Sequence, residues 1–145
     1  MADPAPPLDQ SLGFLLNQVA MLWRRETEKR LAELDLVPRE LGILVTLAHE
    51  DSLTQRELGA RLNLDRTSAV HLLNRLEAAE RIVRRDDPAD GRVYRLSITP
   101  AGRRAMQKAH AAAEAVTDGL CQEALTPAER QRLVELLRRL LRADL

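Results

Sequence analysis

The sequence is poor in aromatic residues: Phe14, Trp23 and Tyr94 make up 2% of its 145 positions. A core must therefore be built from Leu, Val, Ile and Ala, which favours helices. The lone cysteine, Cys121, excludes an internal disulfide framework and a cysteine-rich zinc site. No apolar run reaches the roughly 18 residues that cross a bilayer. No basic segment precedes an apolar one at the N-terminus, so no secretory signal is visible and a cytoplasmic location is expected. His49, His71 and His110 are scattered, the cysteine lacks an obvious partner, and there is no Gly-rich phosphate loop. No nucleophile–base pair thus supports an enzyme, and no cofactor is expected.

Net charge is also lacking: 22 basic residues balance 22 acidic ones. Its distribution is uneven. Between Thr54 and Arg104 lie eleven Arg and seven Asp or Glu, so a basic middle stands between acidic ends. That asymmetry is expected of a DNA-facing module on a neutral scaffold. Twenty of the 22 basic residues are Arg. Arg suits bidentate base contacts and narrow minor grooves, although a GC-rich genome gives the same bias. With 45% apolar and 30% charged residues, the chain is globular.

Residues 1–8, rich in proline, read as a frayed tail. From Ser11 an apolar stripe runs through Leu12, Leu15, Leu16, Val19, Leu22 and Trp23 at helical spacing, continuing weakly to Leu31 and Leu34. Pro38 fits the first turn of a second helix, with Leu41, Leu44, Val45 and Ala48 as its buried face. Thr54-Gln-Arg-Glu57 forms a capping box for a short helix carrying Leu58 and Leu62. Asn63 and Leu64 make a turn, and Asp65 caps a helix through Leu76 with Val70, Leu73 and Leu76 inward. Two short helices joined in this way form a helix-turn-helix. Ile82–Arg85 and Arg92–Ile98 are short and β-branched, and Asp86–Gly91 between them is turn-rich, so a β-hairpin follows. Thr99-Pro100 opens a helix whose inner positions are Ala105, Ala109, Ala112, Ala113, Val116 and Leu120. Thr126-Pro-Ala-Glu129 opens the last, striped by Leu133, Leu136, Leu137, Leu140 and Leu141.

The expected fold is mainly α with a small β-hairpin wing. Residues 37–99 form a winged helix-turn-helix lobe, while 9–36 and 100–145 form dimerisation helices. These terminal helices carry more apolar face than a DNA-binding unit covers, and a second copy is the simplest cover. Folding back onto their own domain is the alternative.

In this order of elements the chain resembles the MarR family of bacterial regulators from about residue 12 to 142. The resemblance rests on Asp87-Pro-Ala-Asp90-Gly-Arg92 followed by Leu96-Ser-Ile98-Thr99-Pro-Ala-Gly102, the pattern of the family's wing. Leu53-Thr54-Gln-Arg-Glu57-Leu58-Gly-Ala-Arg-Leu62 and Leu73-Asn-Arg-Leu76-Glu77 are similar to its helix-turn-helix. Two positions depart from the family: Glu80 stands where Gly is usual, and Val37 where a Ser or Thr cap is common. A Glu at position 80 must adopt a left-handed conformation or end the helix differently.

The recognition helix is expected to present Arg66, Thr67, Ser68, His71, Asn74 and Arg75 to double-stranded DNA. In the major groove Asn and Arg read adenine and guanine bidentately, and Ser or Thr contact bases or phosphates. The resemblance implies that Arg92 enters the minor groove with Asp90 holding its guanidinium, the alternative being a salt bridge within the wing. Arg84, Arg85 and Arg95 are expected on phosphates. A two-fold homodimer implies a pseudo-palindromic operator, and the resemblance implies release by a small phenolic or anionic effector. Trp23, Arg24 and His49 are candidates to bind it, Trp23 being more readily read as core. His110 and Glu114 lie one helical turn apart, but no metal site is expected, nor is a redox role for Cys121. A winged helix used for protein–protein contact is the competing class. The Arg, Ser, Thr and Asn of the recognition face favour DNA.

Overall fold

The computed structural model describes residues 7–143. The tail read at residues 1–8 falls largely outside them. After a 3₁₀ turn, Leu8–Gln10, come α1 (Leu12–Ala32), α2 (Pro38–His49), β1 (Leu53–Thr54), α3 (Gln55–Leu62), α4 (Arg66–Ala78), β2 (Ile82–Asp86), β3 (Tyr94–Ile98), α5 (Pro100–Cys121) and α6 (Pro127–Leu141). No helix among the described residues is long and apolar enough to cross a membrane.

The helix boundaries follow local chemistry. Thr54 Oγ1 accepts from the Glu57 N–H at 3.2 Å, and Glu57 Oε2 accepts from the Thr54 N–H at 2.8 Å. The same reciprocal pair, Thr126 with Glu129, starts α6. Val37 has no side-chain acceptor, so α2 keeps half of such a box: Glu40 Oε2 accepts from the Val37 N–H at 3.0 Å. Asn63 ends α3 in the left-handed region, φ 50°, which its short polar side chain tolerates. Glu80 also takes that conformation, φ 56°. The departure from Gly leaves the helix-to-wing turn intact, at a local conformational cost.

Contacts divide the chain into two compact units, one from Arg24 to Ala113 and the other made of the chain up to Trp23 and from Glu114 onward. The Arg24–Ala113 unit contains every buried apolar side chain among the described residues, from Leu31 through Leu44, Leu58, Leu73 and Leu96 to Ala113. Its sheet is three-stranded and antiparallel in the order β1-β3-β2, with Leu53 opposite Leu96 and Ile82 opposite Ile98. The hairpin was legible in the sequence. The two-residue strand β1 was not, because it is too short to show a period.

Two inward assignments need correction. On α4 the buried stripe is Ala69, Leu72, Leu73 and Leu76, whereas Val70 is 38% exposed. The i, i+3, i+4, i+7 set starts at Ala69, and one residue further turns Val70 about 100° off that face. On α2, Ile43 and Leu47 are fully buried beside Leu41 and Leu44, while Val45 and Ala48 are only half-buried.

The other unit has no buried apolar side chain among its described residues. Leu12, Leu15, Leu16, Val19 and Leu22 of α1 are exposed, as are Leu133, Val134, Leu136 and Leu140 of α6. Within it, Trp23 Nε1 donates to Thr117 Oγ1 at 3.1 Å, and Arg130 bridges Asp118 and Glu114.

Candidate nucleic-acid interface

Helix α4 is capped by Asp65, which accepts from the Ser68 N–H at 2.8 Å and the Ser68 hydroxyl at 2.6 Å. The Ser68 hydroxyl and N–H hold the Asp65 carboxyl below the usual carboxylate range. Ser68, expected at the DNA, therefore spends its hydroxyl on the cap. Arg66, Thr67, Val70, His71, Asn74 and Arg75 form the exposed side of the helix.

Arg75 is tied to two carboxylates. Its Nε donates to Glu40 Oε1 at 2.8 Å, and its Nη2 lies 3.5 Å from Asp35 Oδ1. Glu40 is 1% exposed, and a carboxylate removed from water requires such a partner. Arg81 fastens the same loop, donating to the carbonyls of Asp35 at 2.7 Å and Leu34 at 2.9 Å. Arg84, expected on phosphate, instead donates to Glu77 Oε2 at 2.7 Å and Asn74 Oδ1 at 2.9 Å. Sequence spacing could not reveal these pairs, since each joins different elements.

At the wing, Asp87 is buried. It accepts from the Ala89 N–H at 2.7 Å and from Arg95 Nε at 2.5 Å, and these donors hold its carboxyl below the usual range. Arg95 also donates to the Ser52 carbonyl at 2.7 Å. Arg95 is thus a staple at the wing base rather than a free phosphate ligand. Asp90 accepts from the Arg92 backbone N–H at 3.0 Å. It shapes the turn and, contrary to what the family resemblance implies, does not hold the Arg92 guanidinium. That guanidinium is exposed at the tip without an ion pair among the described residues, so the salt-bridge alternative is not met. Arg85 is likewise exposed on β2.

Thr99 joins the wing to α5. Its N–H donates to the Arg81 carbonyl at 3.0 Å, its hydroxyl donates to the Glu80 carbonyl at 2.7 Å, and the same oxygen accepts from the Gly102 N–H at 2.9 Å. A Cβ at Gly102 would collide with the Arg81 carbonyl. The Thr-x-x-Gly pattern is a structural joint. Sequence reasoning also missed a cavity of about 580 Å³ between α3 and the start of α4, lined by Gln55, Arg56, Asn63, Leu64 and Arg66. The capping box that places Gln55 and Arg56 in the first turn of α3 was the available signal.

The MarR-family model matches residues 34–93, which hold α2 to β2 and the wing turn. Over 134 residues the chain is 33% identical to the putative transcriptional regulatory protein for the hcr operon of Thauera aromatica, covering 92% of this chain and 80% of that one. The chain belongs to the MarR family of transcriptional regulators. Such proteins are not enzymes. This MarR-family chain superposes on a MarR-family transcriptional regulator from Rhodococcus sp. RHA1 with a TM-score of 0.88, 25% identity, and coverage of 97% of this chain and all of that one. It also superposes on CouR from Rhodococcus jostii RHA1, solved with p-coumaroyl-CoA, with a TM-score of 0.83 and 26% identity, covering 97% of this chain and 99% of that one. The mainly helical winged helix-turn-helix read from the sequence is the fold of this MarR-family regulator.

The candidate effector residues fall in both units. Trp23 belongs to one, and its indole N–H is satisfied by Thr117. Arg24 and His49 belong to the other, and both are exposed, with His49 Nδ1 2.9 Å from the Val45 carbonyl. Thr27, not singled out from sequence, is fully buried and its hydroxyl has no hydrogen-bond partner among the described residues. Glu114 is taken up by Arg130.

Proposed function

We propose that this MarR-family regulator acts in the cytoplasm as a homodimeric repressor that binds a pseudo-palindromic double-stranded DNA operator and is released by a small phenolic or anionic effector. The observation that carries DNA binding is the division of labour among the arginines of the Arg24–Ala113 unit. Arg75, Arg81, Arg84 and Arg95 are tied to acceptors, while Arg66, Arg85 and Arg92 stand exposed on the recognition helix and the wing. Exposed Arg, Thr, His and Asn suit base edges and phosphates. An unpaired Arg at a wing tip suits a narrow minor groove. A two-fold arrangement places the recognition helices about one DNA turn apart.

The dimer is supported by the uncovered apolar faces of α1 and α6, which need a partner surface and whose simplest cover is a second copy. The effector reading is supported by CouR, whose p-coumaroyl-CoA is both phenolic and anionic.

The test is a fluorescence-anisotropy titration against the DNA beside the protein's own gene and a scrambled control, at several salt concentrations. A preference of roughly a thousandfold with a steep salt dependence supports a specific regulator. Binding to neither DNA at low salt overturns the reading. Phenolic acids and their CoA thioesters are then added to the complex, and none releasing the DNA would remove the proposed effector class.

A further inference from the structure

The Arg84 contact determines which end of the Asn74 amide faces outward. A guanidinium only donates hydrogen bonds, so the Asn74 atom 2.9 Å from Arg84 Nη2 is the amide oxygen. The other end of that amide, the NH₂, is therefore the part free to reach a ligand, and Asn74 is exposed. Arg84 is itself fixed by its 2.7 Å contact to Glu77 Oε2, and its side chain is only 25% exposed. Glu77 and Asn74 are three residues apart on α4 and share the face beside β2.

We propose that Arg84 is a positioning residue that makes Asn74 a hydrogen-bond donor to the acceptor-only edge of guanine, rather than a bidentate reader of adenine. This rests on the DNA-binding reading above. Adenine offers N7 as acceptor and N6 as donor, so a bidentate Asn must present its oxygen as well as its nitrogen. The contact turns the oxygen toward Arg84 on β2, so that, although a second lone pair remains on it, the NH₂ is the end offered to the groove. Guanine presents two adjacent acceptors, N7 and O6, that match it. Because Arg84 sits on β2, the same contact also locks the recognition helix to the wing.

The test selects binding sites from a random DNA library with the wild-type protein, Asn74→Ala and Arg84→Met, each checked for folding by circular dichroism. Wild type is expected to select guanine at one symmetric position, and Asn74→Ala to lose that preference by roughly tenfold. Arg84→Met, which frees the Asn74 oxygen, is expected to shift that position toward adenine. A measurement needing no Arg84 variant replaces that guanine by 7-deazaguanine, which lacks the N7 acceptor. Wild-type affinity should fall several-fold, and that of Asn74→Ala should not change. Adenine selected by wild type at the position relaxed in Asn74→Ala overturns the proposal, as does an equal 7-deaza loss in both proteins. A wild type that enriches no sequence overturns the DNA-binding reading itself.

Discussion

The Arg75 guanidinium lies 2.8 Å from the carboxylate of Glu40, a side chain almost wholly removed from water. The pair joins the recognition helix to the first turn of α2, and it makes Arg75 a structural residue. Arg75→Ala should leave a buried carboxylate short of a donor and lower stability by about 1.5–3 kcal/mol, measured by urea unfolding. Its operator preference should be that of wild type. Lost discrimination at a guanine with stability unchanged would return Arg75 to the base-reading set.

Arg92 has the opposite character, exposed and without an ion pair among the described residues. Arg92→Ala should weaken binding to every DNA sequence by about tenfold and reduce the slope of log affinity against log salt by about one. Its thermal midpoint should stay within a degree or two of wild type, as for a surface substitution. Near-wild-type affinity would refute the wing assignment.

Gly102 packs where a Cβ has no room. Gly102→Ala must push α5 away from the Arg81 carbonyl and loosen the Thr99 joint, costing roughly 1–3 kcal/mol in thermal or urea unfolding. An unchanged midpoint would mean that the joint yields freely.

The leucines of α6 offer a test of assembly. Leu136 and Leu140 are 40% and 52% exposed in the single chain, so replacing both with Lys removes no core packing. The doubly substituted protein should sediment as a monomer and lose most of its operator affinity. A dimer of wild-type stability would place these leucines outside the dimer seam.

Acid should act through the capping and wing carboxylates. Glu57 and Glu129 are held low by the backbone N–H groups of Thr54 and Thr126, Asp65 by the Ser68 hydroxyl, and Asp87 by the Ala89 N–H and then Arg95. Groups with lowered folded-state values stabilise the fold above the ordinary carboxylate range, about pH 4, and that contribution is lost as pH falls through the lower folded values. The urea midpoint should therefore drop between about pH 5 and pH 3. A flat profile there would show that these bonds persist in the unfolded chain.

Local chemistry made much of the fold readable in advance. Thr54-x-x-Glu57, Thr126-x-x-Glu129, the Asp65 cap and the Asn63 turn are contacts within four residues, and helical periodicity marked the apolar stripes of α1 and α6. The sequence by itself determined the order of the helices and the hairpin, where each helix starts, and the exposed Arg92 in a turn built by Asp87 and Asp90. The tertiary structure alone decided which arginines are free. Arg75, Arg84 and Arg95 look equivalent to Arg66 and Arg92 along the chain, and their partners Glu40, Glu77 and Asp87 lie 35, 7 and 8 residues away. A charge becomes available to a ligand only when folding leaves it unpaired. Pairing depends on which elements pack together, and no local pattern encodes that.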